Sequence, residues 1–596
     1  MKNKIITGIA LCSLFITGCS LDKAYLNGPN ASTFPATKSE VEAGVFATYK
    51  GLTLIDASST PFPGIQDNAS DIGASRINAA NYNYQQQSKL PPSNAWVTKV
   101  YTQIYKTAAR ANLVLDGIDN VRELMSEQEY NMYKAELLLV RSFLYDWGCQ
   151  LYGDIPYIDH TLKLGDTYTR TPKEEVISRI LNEDLADEML DFLPIRHNKN
   201  SYGSARLGRA GAYGLKARIC LNWKYYEEAA YYADKALKLA EEGGYSLQAY
   251  DIRYCGEDHT KGEPTPSNLF GINGHKNSDE WIWALQYNTA ISSNQHNAGY
   301  YAAPRIAGGC SYFSPTQAFL DAIQCTDGKS IVESPLFDYQ NPWKNRDPRL
   351  DLFCVRPGSR VLGMQFETNP SAQTIKNYND KEEGVDVANS EYGANGSKGP
   401  CGYLWRKYLD IQEYKYNNAF GTSSVCVLSY PLMRLAELYL IRAEANIEWN
   451  GGDLSVAKAD IETIRSRAHM PGLSENLSRD GLRSALRYER MVELCNEGFR
   501  WFDIRRWDMA ESVISGTLYA PALDGSVSNA VPTIDSDWHV TYNGQTFDGK
   551  DMNLRRFITM SYDPMKDALW PIPEDERIAN PLITQNPGYA GHSIEE

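Results

Sequence analysis

The sequence predicts a mainly α-helical protein whose helices support a large irregular segment. Over 39–244, and again after about residue 430, apolar side chains recur at the spacing of one helix face. Between 245 and 425 the chain is instead rich in Gly, Asn, Pro and aromatic residues, and long helical periods are few. Because loops on a rigid scaffold usually carry function, we expect much of the binding chemistry in this middle segment.

The N-terminal part contains several predicted helices. One begins near Ser39, and a second covers 96–115, where apolar residues share one stripe. A third begins after Ser126, because Ser126 and Glu129 have capping-box spacing, and it ends at Gly153. The polar segment between the first two helices is predicted to be a surface loop, spanning 58–94.

A helix pair is predicted next, at 208–222 and 225–242. Its small residues would let two helices approach closely, as in a tetratricopeptide-type hairpin. Later elements are a strand at 280–287, a short helix at 314–322, helices at 431–449, 454–468 and 480–497, and a loop-rich tail. The predicted body therefore has three parts: a helical part at 39–244, an irregular insert at 245–425 and a C-terminal part at 426–596.

The N-terminus has the pattern of an exported lipoprotein. Lys2 and Lys4 precede an apolar run at 5–16, which is shorter than the about 20 residues that span a bilayer. The run ends in Ile-Thr-Gly-Cys, which resembles a lipobox. We predict a signal peptide at 1–18, a lipidated Cys19 and a tether at 19–38; the alternative is an ordinary signal peptide that contains a cysteine.

The composition narrows the class of ligand. A net charge of −15 argues against nucleic acid as a partner and favours a neutral ligand. The 39 Tyr and 12 Trp residues supply the flat faces that sugar binding needs, although helix packing uses them too. Of 11 cysteines, nine remain after Cys12 and Cys19, so at least one is free. They show no metal-ligand spacing, and we expect neither metal nor cofactor.

No familiar catalytic motif is present in the sequence. Glu489 and Glu493 stand one turn apart on a predicted helix and could form an acid/base pair. The favoured interpretation is structural: a partly buried ion network that fixes the turn after Gly498. Its predicted partners are the arginines that follow that turn, Arg500, Arg505 and Arg506.

The same region contains YERMVEL (488–494) and GFRWFDIRRW (498–507). These two segments resemble the RagB/SusD family of outer-membrane lipoproteins. Further matching segments extend in the family's order over most of the chain. They are the lipobox, WVTKVYTQIYKTAARANLVL (96–115), AELLLVRSFLYDWGCQLYGDIPYI (135–158), NRDPRLD (345–351), YPLMRLAELYLIRAEA (430–445) and LWPIPEDERIANPLITQNPGY (569–589).

The resemblance implies a mainly α, SusD-like fold with tetratricopeptide-like hairpins and an irregular ligand-binding region. It implies non-catalytic capture of oligosaccharides for a SusC-type TonB-dependent transporter in the outer membrane. Some relatives capture peptides instead, and that alternative stays open. A surface glycosidase is the enzyme alternative, since two carboxylates placed by the fold would suffice.

Two loop-rich stretches combine the aromatic and polar groups that would bind a glycan. The first supplies Asp67, Asn68, Asp71, Arg76, Asn83 and Trp96. The second supplies Asn294, Tyr300, Tyr301, Arg305, Tyr312 and Trp343. Trp96 lies at a helix start, where core packing is at least as good an interpretation, and a core strand is favoured for Trp281 and Trp283.

Overall fold

The computed structural model describes residues 34–53, 66–76, 80–256, 258–288, 290, 295–391, 402–522 and 526–589. The predicted signal peptide, Cys19 and the tether up to residue 33 lie outside the described residues, and so does Asn294. Within the ranges described, no helix is both long enough and apolar enough to cross a membrane.

Three long helices form the N-terminal layer. They are α1 (Lys38–Gly51), α2 (Ala95–Gly117) and α3 (Glu127–Tyr152). The predicted capping box is confirmed at the start of α3, where the Ser126 hydroxyl accepts the Glu129 N–H and the Glu129 carboxylate accepts the Ser126 N–H. Helices α1 and α2 pack closely at Gly44, since a methyl group there would lie 2.5 Å from the Val114 side chain.

Five further helices lie in a row, each packed against the next. They are α4 (Arg209–Asn222), α5 (Tyr226–Glu242), α6 (Leu435–Glu448), α7 (Leu454–Arg467) and α8 (Arg479–Glu493). Helix α5 packs between α4 and α6, and α7 packs against α6 and α8. The buried residues of α5 are mostly alanine, which allows this close packing. The predicted hairpin is confirmed, and the row continues from the first half of the chain into the second.

Shorter helices connect these elements. They lie at Ala80–Gln86, Lys173–Arg179, Asp187–Leu190, Lys199–Tyr202, Ser267–Phe270, Gly274–Asn277, Ala298–Ala302, Gln317–Ala322, Arg349–Phe353, Ile411–Asn417, Arg500–Arg506 (named α9), Ala510–Val513 and Glu574–Ala579. A π-helical turn at Ile180–Asp184 and 3-10 turns at Asp67–Ala69, Ile118–Leu124 and Arg305–Ala307 complete the helical elements of the described residues.

The strands form small antiparallel sheets. They are β1 (Gly73–Ser75), β2 (Trp281–Leu285), β3 (Phe313–Pro315), β4 (Cys354–Val355), β5 (Arg360–Val361), β6 (Met364–Gln365), β7 (Thr374–Asn377), β8 (Val385–Ala388), β9 (Leu404–Trp405), β10 (Tyr430–Arg434), β11 (Gly516–Pro521), β12 (Thr533–Ile534), β13 (Val540–Thr541) and β14 (Leu554–Met560). The pairs are β1–β3, β2–β10, β4–β9, β11–β14 and β12–β13, and β5 to β8 form one sheet in chain order. The fold is therefore mainly α, as predicted.

Several predicted boundaries are corrected by the structure. The helix expected from residue 431 begins at Leu435, because Tyr430–Arg434 is strand β10 and pairs with β2. Strand β10 is buried on both faces, so its apolar run lacks the alternation that would mark a strand. Helix α8 ends at Glu493, short of residue 497, and the predicted loop-rich tail contains the paired strands β11 and β14. Trp281 and Trp283 are core residues of β2, as favoured.

The polar segment predicted as a surface loop is largely buried where it is described. Residues 66–70 and 72–75 are buried, and so is the end of the helix Ala80–Gln86, where Gln86 is fully buried. The Gln86 amide donates to the Ser70 and Gly73 carbonyls. Polar composition failed as a guide here because the side chains satisfy backbone groups inside the protein.

One large core unites the parts of the chain. It contains buried apolar residues from Leu52 to Ile583, drawn from all three predicted parts. Eight cysteines are described, and each is a free thiol; seven are buried and Cys255 is partly buried. Burial raises the pKa of the Cys220 and Cys495 thiols to about 12. They act as small apolar residues of the interior, as expected.

Candidate functional site

The first predicted stretch begins with a buried carboxylate that holds a backbone turn. Asp67 is fully buried, and its oxygens accept the N–H groups of Glu497, Gly498 and Arg500, each at 3.0 Å. Burial raises the pKa of Asp67 to about 7, against the three N–H groups that lower it. Gly498 has a φ of 89°, so this turn favours glycine. Asp67 thus fixes the turn that leads into α9.

Three more predicted residues of this stretch serve the scaffold. The Trp405 indole N–H donates to Asn68 Oδ1 at 2.8 Å. The Asn83 amide donates to the backbone carbonyls of Ser75 and Arg76. The Trp96 ring packs in the core against Tyr82 and Trp570, with centroids 5.2 Å and 4.7 Å away.

The burial of four of these residues counts against the prediction that they contact a sugar. Asp67, Asn68, Asn83 and Trp96 are each less than 5% exposed. The geometry does not support them as ligand contacts, because they face the interior and bond to the scaffold. Asp71 is only partly buried, but both of its oxygens accept bonds from the Arg500 guanidinium.

The second stretch brings three tyrosines together at a partly exposed position, which we name the tyrosine cluster: Tyr300, Tyr301 and Tyr312. The Tyr301 ring lies 5.1 Å from Tyr300 and 5.5 Å from Tyr312, edge to face in both pairs. The Tyr312 N–H donates to the Tyr301 carbonyl at 2.8 Å, which ties the short helix Ala298–Ala302 to the approach to β3. Each ring is half-buried, so one part packs and another meets solvent.

The pairing of β1 with β3 adds a cation to this cluster. Arg76 follows β1, and its N–H donates to the Tyr312 carbonyl at 3.1 Å. The Arg76 guanidinium lies 5.8 Å from the centre of the Tyr312 ring. Arg305 follows the helix that carries Tyr301, and both arginines are half-buried. The structure therefore brings together five predicted residues from two distant parts of the chain.

The tyrosine cluster rests on a carboxylate that the sequence did not identify. Glu391 is 1% exposed, and it accepts the Arg305 N–H at 2.7 Å and the Ser311 hydroxyl. Burial raises the pKa of this carboxyl, while those bonds lower it. Glu391 holds the loop between Tyr301 and Tyr312 at both ends. No pattern distinguished it from the other acidic residues, because its partners lie some 80 residues away.

Trp343 has different neighbours from the tyrosine cluster. Its half-buried ring lies 6.0 Å from Tyr403 and 5.4 Å from the Arg356 guanidinium. Arg356 in turn bonds to Asp351 at 3.1 Å. Trp343 therefore remains a separate candidate for stacking.

The two glutamates of α8 form a buried ion network. Glu489 bonds to Arg349 at 2.7 Å and to Arg465 at 2.8 Å. Glu493 bonds to Arg349 at 3.3 Å and to Arg434 at 2.9 Å. Burial raises the pKa of Glu493, but the nearby arginines outweigh it and hold the pKa well below its usual range. Because both carboxylates are fully buried and paired with arginines, they cannot reach a ligand at the surface as an acid and a base.

The structural interpretation of these glutamates fits the structure, but the predicted partners were wrong. Arg500 pairs with Asp71, and Arg506 pairs with Glu444 and Asp503. Arg505 has no carboxylate partner among the described residues. The network is built from cations far along the chain, which sequence spacing does not reveal.

Comparison with known proteins decides the family. The model of the "SusD family" matches residues 279–589, more than half of the chain. A second model, described as "Starch-binding associating with outer membrane", matches residues 53–221.

This chain belongs to the SusD family.

Relatives of this SusD-family chain match it over most of their lengths. SusD-like protein P2 of Formosa agariphila is 23% identical over 611 residues, covering 99% of this chain and 100% of the relative. The starch-binding protein SusD of Bacteroides thetaiotaomicron is 23% identical over 456 residues, covering 72% of this chain and 75% of the relative.

Solved structures show the same fold. A SusD-like carbohydrate binding protein from Bacteroides fragilis matches with a TM-score of 0.71 and 21% identity, covering 92% of this chain and 99% of that one. A laminarin binding SusD-like protein matches with a TM-score of 0.60 and 17% identity, covering 93% and 100%. The predicted family and SusD-like fold are confirmed.

Proposed function

We propose that this protein binds an oligosaccharide at the outer membrane without cleaving it. The tyrosine cluster carries the proposal, because partly exposed aromatic rings beside guanidinium groups can stack on sugar faces and bond to hydroxyls. The starch-binding and laminarin-binding relatives support the same class of ligand. Arg76 and Arg305 would supply the bonds, and the three tyrosines would supply the surface.

The proposal extends to delivery and to the membrane. Delivery of the glycan to a SusC-type TonB-dependent transporter follows from the family resemblance. Lipid attachment at Cys19 and display on the cell surface follow from the N-terminal pattern. The outer-membrane description of the family model that matches residues 53–221 supports this location. The three-part division of the body, 39–244, 245–425 and 426–596, also remains a proposal.

Two alternatives differ in ligand or chemistry. A peptide-capturing protein of the same fold would use the same exposed surface. A glycosidase would need two accessible carboxylates, and the pair that the sequence suggested, Glu489 and Glu493, is fully buried and ion-paired. That burial favours capture over cleavage.

Removing the tyrosine rings should weaken glycan binding. The variants are the double replacement Tyr300→Ala with Tyr301→Ala, and Tyr312→Ala; the control is Tyr231→Ala, a ring 61% exposed on α5. Each cluster variant should lose roughly 10-fold or more in affinity, about 1.4 kcal/mol, because an apolar sugar face loses its partner. Calorimetry against a panel of oligosaccharides and peptides measures this, with thermal unfolding as a check on folding.

The outcomes separate the candidates. Oligosaccharide binding that survives in both cluster variants would exclude this surface. Binding of peptides but no glycan would support the peptide-capturing alternative. Shortening of a labelled oligosaccharide during incubation with the pure protein would contradict non-catalytic capture.

A further inference from the structure

A cavity elsewhere in the protein shares no lining residue with the tyrosine cluster. It has a volume of about 600 Å³, within the range of small-molecule sites. It opens where the ends of α3 and α4 meet α9 and the segment 562–569. Among its lining residues are Gln150, Trp223, Phe502, Arg505 and Tyr562.

Arg505 is the unusual group in this cavity. It is half-buried, its Nη1 donates to the Gln150 carbonyl at 2.8 Å, and it lies beside the Tyr562 hydroxyl. No carboxylate pairs with it among the described residues, whereas its neighbour Arg506 bonds to both Glu444 and Asp503. Burial of this charge, only partly offset by Tyr562, lowers the pKa of Arg505. A buried charge without a counter-ion is costly, and an anion would relieve that cost.

The other charges at the cavity are mostly paired with one another. Lys224 pairs with Asp508 at 3.0 Å, and Lys173 lies 3.8 Å from Glu174. Glu511 is exposed and lines the cavity on the helix Ala510–Val513. It is the acidic group that would oppose an anion here. The guanidinium therefore lies within a cavity whose remaining cations are largely neutralised.

Aromatic rings give the cavity a second feature. Trp223 is half-buried and its indole N–H donates to Asp146 at 2.8 Å, which fixes the orientation of the ring. Phe502 is 9% exposed and stacks on Trp147 at 6.2 Å between centroids. A flat apolar face near an unpaired guanidinium matches a ligand with one apolar face and one carboxylate.

We propose that this cavity binds an acidic sugar residue, with the carboxylate of a uronic acid paired to Arg505 and the sugar ring against Trp223. Arginine recognises a carboxylate with two parallel N–H bonds, and the Arg505 guanidinium, which bonds to the Gln150 carbonyl and to the Tyr562 hydroxyl, has no carboxylate partner among the described residues. The inference concerns a site separate from the tyrosine cluster, and it deepens the proposed function by naming an anionic class of sugar.

The test is calorimetry on the whole protein with galacturonate and glucuronate, compared with galactose, glucose and acetate. Both uronates should bind, and their affinity should fall as the salt concentration is raised. The neutral sugars and acetate should bind at least about 10-fold more weakly than the uronates. Arg505→Gln should reduce uronate affinity at least about 10-fold, while Glu511→Gln should raise it about threefold because a repelling charge is removed. The control Arg110→Gln removes an exposed cation on α2 and should leave affinity unchanged.

Three results would overturn the inference. They are the absence of uronate binding, equal affinity for acetate and galacturonate, and unchanged uronate affinity in a folded Arg505→Gln protein. If Arg505→Gln does not fold, the Glu511→Gln variant decides, because Glu511 is exposed and its replacement spares the interior. The uronate titrations do not depend on the result for the tyrosine variants. The proposed function and this inference can therefore be contradicted separately.

Discussion

Buried carboxyl groups in this protein differ widely in pKa, because their surroundings favour different charge states. Glu413 is 1% exposed and accepts the N–H groups of Val427 and Leu428, at 2.6 Å and 3.0 Å. Burial raises the pKa of Glu413 to about 7, because no cation among the described residues compensates its charge. Glu493 is buried as deeply, yet its arginine partners keep it ionised. The nearest counter-charge, and not depth alone, determines protonation.

The raised pKa of Glu413 predicts a pH-dependent stability. A glutamate in the unfolded chain titrates near 4.5, whereas Glu413 in the folded protein keeps its proton up to about pH 7. The folded state therefore binds more protons in this window, so its stabilisation falls as the pH rises from 4.5 to 7, by at most about 3 kcal/mol. Glu413→Gln, which stays neutral, should flatten that dependence.

Urea unfolding at pH 5 and pH 7.5 measures the effect. The control is Glu574→Gln, which alters an exposed glutamate in the first turn of the helix Glu574–Ala579. Burial also raises the pKa of Asp67 to about 7 and that of Asp146 to about 6, so the wild-type slope combines several groups and the variant should remove only part of it. A slope in Glu413→Gln equal to that of the wild type would contradict the assignment.

At the scale of elements, helices with local signals were predictable and buried strands were not. The capping box of Ser126 lies within one turn, so the start of α3 could be read directly. The start of α6 was placed too early, because the buried strand Tyr430–Arg434 has neither alternation nor a helix cap. The three predicted tyrosines and both predicted arginines lie together in the structure, but the anchoring role of Glu391 depends on contacts that are distant in the sequence.

The ion network of α8 predicts a large loss of stability when one partner is neutralised. Glu489→Gln would leave Arg349 and Arg465 with a missing counter-charge inside the core. We expect a loss of about 3–5 kcal/mol in the free energy of unfolding, because the buried cations cannot be hydrated. Denaturant titration measures it. The matched control on the same helix is Asp480→Asn, whose 89% exposed side chain should contribute about 1 kcal/mol at most.

A small effect of Glu489→Gln would count against this account. If the loss were within about 1 kcal/mol of the control, the network would have to be hydrated or rearranged in solution. Hydrogen exchange of the α8 backbone would then give a free energy of local opening well below the global free energy of unfolding.

At the scale of the whole molecule, both ends of the chain build the same body. Helix α5 from the N-terminal part packs on α6 from the C-terminal part, and the main core runs from Leu52 to Ile583. Helix α1 begins at Lys38, so residues 20–37 would reach at most about 60 Å when extended. That length would let a rigid body remain close to a membrane while anchored at Cys19.

Replacing the anchor should separate location from binding. Cys19→Ala should release the protein from the membrane fraction and leave glycan affinity unchanged, because the binding residues lie in the folded body. The control Cys12→Ala alters a cysteine of the apolar run and should leave the protein membrane-bound. Fractionation with immunoblotting measures location. Retention of Cys19→Ala in the membrane fraction would contradict lipid attachment at this residue.

The buried thiols affect how long this protein can stay folded in an oxidising compartment outside the cytoplasm. While the fold is closed, burial keeps the described thiols protonated and shields the seven fully buried ones from oxidants. A chain that opens would expose all eight of the described thiols at once, and mismatched disulfides would then prevent refolding. Opening in an oxidising compartment would then be irreversible, and the working lifetime of the protein would depend on how slowly it opens.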